Sequence, residues 1–145
     1  MSLATHQHVG NTGEDIAAEY LQKKGFRILT RNWKTNIGEM DIIALAPRTS
    51  FTRFCKQLFL NKNNALQRRF FVFVEVKTRR TKQYGPPELA ITKDKQRRLI
   101  RLASLYMLKH RLVGHPYRFD VIAVEFGYAE QPLVTHIEDA IQVDR

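Results

Sequence analysis

The chain is 145 residues long, enough for one domain with a substantial core, and its 43% apolar content is ordinary for a globular protein. Its formal charge of +10 is not ordinary, and it points to a polyanionic partner rather than a small-molecule substrate. The single cysteine, Cys55, excludes an intramolecular disulfide; with no bilayer-length apolar run and no signal-peptide pattern, a soluble cytoplasmic protein with no membrane partner is expected.

In chain order, residues 1–11 carry no periodic signal and are expected to form a mobile arm. Thr12-Gly13-Glu14-Asp15 matches a helix start, with Thr12 as N-cap and Glu14 in a first turn where a carboxylate favours the helix dipole. Ala17, Tyr20 and Leu21 continue it as an apolar face, and Gly25 closes it in the C′ position with Phe26 folding back. Phe26 to Trp33 reads as a first strand, Asn36-Ile37-Gly38 as a turn, and Glu39 to Ala46 as a second strand forming a hairpin with the first. Period-2 alternation puts Glu39 and Asp41 on one face, Met40 and Ile42 on the other.

Between Pro47 and Arg69, Phe51, Phe54, Cys55, Leu58 and Phe59 fall at helical spacing, so residues 47–69 read as an inserted amphipathic helix and loop. Such a helix caps a core more often than it docks on a membrane or a partner, the adaptor role it would otherwise suit. Phe70-Phe71-Val72-Phe73-Val74-Glu75-Val76-Lys77 follows as a buried strand. Residues i and i+2 share a face, so Glu75 and Lys77 project side by side at the end of an apolar run, where charge is costly unless used. Two readings stand: a metal site, with Glu75 as ligand and Lys77 acting on a phosphate or a water, or a strand-end ion pair without chemistry. Thr92 is placed to N-cap a second helix with a core face of Leu99, Leu102, Ala103 and Tyr106. Arg118 to Val124 is a fourth strand, and Leu133 to Ile137 a short fifth.

Charge is segregated along this order. From Arg48 to Arg111 there are 17 Lys and Arg against 3 acids, a local +14, while the remainder carries −4. A one-sided field of this kind suits nucleic acid. Arg79, Arg80, Lys82, Lys93, Lys95, Gln96, Arg97 and Arg98 are the candidate phosphate contacts, positioning DNA without reading its sequence. Phosphodiester hydrolysis needs a hard cation held by carboxylates and a positive group near the attacked phosphate. Asp41 and Glu75 on adjacent strands can meet at one cation, with Lys77 beside them, Glu14 closing the site from the helix and Glu39 in reserve.

The αβββαβ order with Asp41…Glu75-Val76-Lys77 resembles the PD-(D/E)xK, or restriction-endonuclease-like, nuclease superfamily, and is most similar to its bacterial YraN-like family. The resembling stretches are Gly13 to Ala17, Asn32-Trp33, Gly38 to Ile43, Phe73 to Arg79, Lys95 to Arg98 and Arg118 to Val121. The resemblance implies an α/β fold, a mixed sheet flanked by helices, with Mg²⁺ or Mn²⁺ at the Asp and Glu. It implies catalytic roles for Asp41, Glu75, Lys77 and Glu14, the last matching a first-helix glutamate of archaeal Holliday-junction resolvases. It further implies action on branched or structured DNA, and a homodimer by analogy with those resolvases. Two departures stand out: the superfamily's proline before the aspartate is Met40 here, and the 47–69 insert is longer than a simple hairpin connection. The alternative is a nucleic-acid-binding module that keeps the nuclease fold without turnover.

Overall fold

The computed structural model describes residues 2–48, 69–80, 91–127 and 130–143, with side chains from residue 12 onward. The elements are α1 (Ser2–Lys23), β1 (Arg27–Thr35), β2 (Gly38–Leu45), β3 (Phe71–Arg79), α2 (Lys93–Lys109), β4 (Tyr117–Glu125) and β5 (Leu133–Ile137). The expected inserted helix, and with it Lys82, lies outside the described residues.

The five strands form one mixed sheet in sequence order. β1, β2 and β3 run antiparallel to their neighbours, β3 and β4 pair in parallel, and β5 returns antiparallel to β4. A parallel pair cannot be joined by a tight turn, and the β3-to-β4 connection contains α2. This αβββαβ layout with a helix on each face is a restriction-endonuclease-like core, as the element order anticipates.

Alternation along β3 builds both cores. Phe71 and Phe73 enter a cluster with Leu99, Leu102, Ala103, Tyr106 and Met107 of α2, while Val72 and Val74 enter one with Ala17, Ala18 and Leu21 of α1. Each such Val, Leu, Met or aromatic side chain, fully removed from water, contributes on the order of 2 kcal/mol before entropy is set against it. The central strand is therefore held from both sides, and its polar end is fixed in place.

Helix ends follow the sequence in two places and depart from it in one. At the close of α1, Gly25 takes φ +87°, its amide donates to the Gln22 carbonyl and the Phe26 amide to Leu21, the paired bonds of a glycine-terminated helix. Thr92 Oγ1 accepts from the Lys95 amide at 3.2 Å, capping α2 as expected, and the four expected core residues of that helix are buried. The start of α1 differs: the helix begins at Ser2, so Thr12 lies inside it and is not its N-cap. Glu14 is then well past the first turn, and the dipole no longer accounts for it. What places Gly13-Glu14 is packing, because Gly13 is buried and a Cβ there would collide with Thr78 Oγ1 on β3.

Arg118-Phe119-Asp120 serves the fold. Arg118 forks onto Asp120 through Nε and Nη2 at 2.9 and 3.1 Å, and both side chains are buried. His136 of β5 reaches the same carboxylate at 2.8 Å, and the Asp139 amide donates to it at 3.0 Å. One buried aspartate thus ties the edge strand β5 and the turn after it to β4. A buried ion pair of this kind is satisfied only as a set.

Candidate metal centre

The site begins where two strands lose their alternation. On β2, Met40 packs in the α2-side core while Ile42 packs in the α1-side core, although they are two residues apart. The expectation that Met40 and Ile42 share a face is therefore corrected. The residue between them is Asp41. Its neighbour strand no longer pairs with it through backbone alone: Asp41 Oδ2 accepts from the Val76 amide at 2.8 Å. The ladder from β2 to β3 reaches Ile42–Val74 and stops there.

The same break occurs on β1. Arg31 bonds Asp15 on α1 at 2.6 Å, whereas Trp33 stacks edge-on against Tyr106 of α2 at 5.3 Å. The residue between them, Asn32, has φ +50°. It falls opposite Asp41, between the Arg31–Ile42 and Trp33–Met40 pairs.

Two further carboxylates, Glu75 and Glu14, act electrostatically on Asp41. Glu75, only 5% exposed, extends from β3 on the α2 side, with Lys77 Nζ of its own strand and Lys95 Nζ of α2 each 3.2 Å from its Oε1. Its other oxygen, Oε2, is buried without a partner. Glu14 comes from the α1 side, and its Oε2 is likewise buried without a partner. Asp41 lies between, repelled by both.

Electrostatics follow from that crowding. Burial first, then the Glu75 carboxylate, push the Asp41 carboxyl up to about 7, and Glu14 adds to this; the Val76 amide and Lys95 oppose it. Glu14 is also raised, mainly by burial, with Glu39 and Asp15 adding to it, against the Asn32 hydrogen bond and Arg31. Two buried carboxylate oxygens without partners, beside a carboxyl held up by its neighbours, make a place where positive charge is missing.

A divalent cation fits that deficit. Asp41, Glu75 and Glu14 are hard oxygen donors, the set Mg²⁺ and Mn²⁺ prefer. Among the described residues, no three acidic, histidine or cysteine side chains are drawn together into a ready-made cage. The arrangement matches an open site, in which one or two carboxylates and substrate phosphate share the ion. Glu39 is turned partly elsewhere, 3.8 Å from Lys34 and 39% exposed.

The basic residues divide into two groups. Lys77 and Lys95 belong to the centre, each half-buried against Glu75. Arg80, Lys93, Arg97 and Arg98 are exposed, with Arg79 and Gln96 partly so. Arg97 pairs with Asp94 at 3.0 Å, and Arg98 crosses Gly38, whose φ of +148° and close contact leave little room for a Cβ. Lys95 is thus placed deeper than a surface phosphate anchor. Helical periodicity alone puts it off the core face, and only the approach of α2 to the end of β3 brings it to Glu75. Asn32 carries a fainter signal: a residue disfavoured in strands, inside a strand.

Comparison with known proteins identifies the family. A family model described as "Uncharacterised protein family UPF0102" matches residues 13–124, from Gly13 through Asp41, Glu75, Lys77 and Lys95 to β4. A UPF0102 protein of Pelobacter propionicus is 36% identical over 95% of this chain and 85% of its own length. Relatives of the same description in Trichlorobacter lovleyi and Desulfosudis oleivorans are 38% and 39% identical, over 95% of this chain and 93% and 95% of theirs. The chain therefore belongs to the UPF0102 family, the YraN-like proteins its motifs resemble.

Proposed function

We propose that this protein is a divalent-metal-dependent endonuclease that hydrolyses phosphodiester bonds in DNA. The observation that carries the reading is the pair of buried, unpartnered oxygens of Glu75 and Glu14 flanking Asp41. Asp41 and Glu75 hold Mg²⁺ or Mn²⁺, with Glu14 as the third carboxylate. When bound, the cation neutralises charge at the attacked phosphate. Lys77, paired with Glu75 at 3.2 Å, acts on the charge that develops on the phosphate oxygens. Arg79, Arg80, Lys93, Arg97 and Arg98 hold the flanking backbone. Branched or structured DNA is the substrate class and a homodimer the working form, by similarity to the archaeal resolvases, and the lone Cys55 suits a reducing cytoplasm.

Lys77→Ala tests the reading. Cleavage of branched or linear DNA is expected to fall by about 10²-fold or more while DNA affinity stays within about twofold. Undiminished cleavage by the variant would overturn the assignment.

One observation favours the second reading, a DNA-binding module without turnover. Glu75 Oε1 already faces two ammoniums and needs no cation at that oxygen. That reading predicts DNA binding that weakens with salt and is indifferent to Mn²⁺.

A further inference from the structure

We propose that Lys95 is an exchangeable counter-cation of the centre. Without DNA its ammonium occupies Glu75 and weakens metal uptake there; with DNA it leaves for a backbone phosphate, so that cation and DNA bind cooperatively. The proposal rests on the metal-dependent reading above and concerns how that centre is kept from loading without substrate.

The starting point is an imbalance at one carboxylate. Lys77 and Lys95 each place an ammonium 3.2 Å from Glu75 Oε1, while Oε2 of the same group is buried without a partner. One ammonium is enough to neutralise one carboxylate, so two like charges crowd a single oxygen. Glu75 is only 5% exposed, and at such a buried group charges are weakly screened. A cation at Oε2 is repelled by both ammoniums across a few ångströms. Once it binds, one ammonium is surplus.

The elements decide which lysine can leave. Lys77 lies within the parallel β3–β4 ladder, opposite Ala123, on the same strand as Glu75. Lys95 hangs from the first turn of α2, where Thr92 Oγ1 holds its amide at 3.2 Å, and it reaches Glu75 across to another element. The acid beside it in sequence, Asp94, pairs with Arg97 at 3.0 Å. Lys95 is half-buried, and Lys93, Arg97 and Arg98 at the same end of the helix are exposed. A DNA backbone held by those residues passes within reach of its ammonium. An ammonium at a helix N-terminus also opposes the dipole and needs an anion beside it. Glu75 is that anion when no cation is bound, and a phosphate replaces it when one is. Cation and DNA each displace the same ion pair, so each strengthens the other by the same factor.

The test is a calorimetric titration of Mn²⁺ with and without a short duplex. Lys95→Met keeps an unbranched helix-forming side chain and removes the charge. Without DNA this variant is expected to bind Mn²⁺ about tenfold tighter than wild type, and the gain in affinity on adding the duplex is expected to shrink by a similar factor. Lys109→Met, which removes the same charge from the far end of α2, is expected to leave DNA-free Mn²⁺ affinity within about twofold of wild type. If Lys95→Met binds Mn²⁺ no tighter than wild type while Glu75→Gln does not bind, the metal reading stands and the exchange is overturned. Equal tightening by Lys109→Met would reduce the effect to net charge and overturn it as well. If wild type takes up no Mn²⁺ in either condition, and Lys95→Met none either, the metal reading fails and takes the proposal with it.

Discussion

Asp41 is the residue on which opposing demands meet. It accepts the Val76 amide in place of a strand partner, and it sits between two carboxylates that repel it. Its carboxyl therefore titrates near 7, far above the unfolded value of 3.8. The sign of the stability effect follows. Between these two values the folded chain holds the proton and the unfolded chain does not, so stability of the metal-free protein falls as pH rises through that interval, and levels off above about 7. Asp41→Asn keeps an acceptor for Val76 and removes the charge, and at pH 8 it is expected to stabilise the metal-free protein by about 2 kcal/mol in urea unfolding. Equal or lower stability of the variant at pH 8 would contradict the crowding described. Asp41, Glu75 and Lys77 were legible in the sequence because charged residues stand out against apolar strands. Asn32 entered only through the Asn32-Trp33 stretch of the resemblance, because no spacing encodes the left-handed backbone it adopts.

Among the elements, α1 and β3 show how a single missing side chain sets a site. Gly13 lets the helix lie against Thr78, and this contact delivers Glu14, the next residue, to the edge of the centre. Gly13→Ala is expected to destabilise by about 1 kcal/mol or more, overpacking outweighing the gain in helix propensity. Adding Thr78→Ala removes the obstruction and is expected to restore most of the loss, measured as a double-mutant cycle in denaturant. Additive effects would mean that the two residues do not meet. Strand order, the caps at Gly25 and Thr92 and the core face of α2 were all readable from local pattern. The start of α1 was not: Thr12-Gly13-Glu14 imitates a helix start because glycine interrupts the apolar periodicity, whereas that glycine answers to a contact 65 positions away on β3. Likewise, the Met40–Ile42 face assignment fails because alternation assumes a continuous ladder, and at Asp41 the β2–β3 ladder has stopped and the β1–β2 pairing skips a residue.

At the scale of the whole molecule, charge segregation and topology act together. The basic stretch from Arg48 to Arg111 passes through β3 and α2, the two elements that supply Glu75, Lys77 and Lys95. The basic stretch and these three side chains of the candidate centre therefore lie on the same two elements. Binding to duplex DNA is expected to weaken steeply with salt, with a log–log slope of about −4 if some five phosphates are neutralised, and Arg80→Ala is expected to reduce that slope by about 1. A shallow slope, unchanged in the variant, would separate the basic region from DNA recognition.

The central claim is a cation held by Asp41 and Glu75, and titration of Mn²⁺ into wild type, Asp41→Asn and Glu75→Gln, each with and without a short duplex, tests it most directly. The account predicts binding by wild type that is lost in both variants and strengthened by the duplex, whose phosphates complete an open site. Wild-type protein that takes up no Mn²⁺ in either condition, or variants that bind as wild type does, would contradict it.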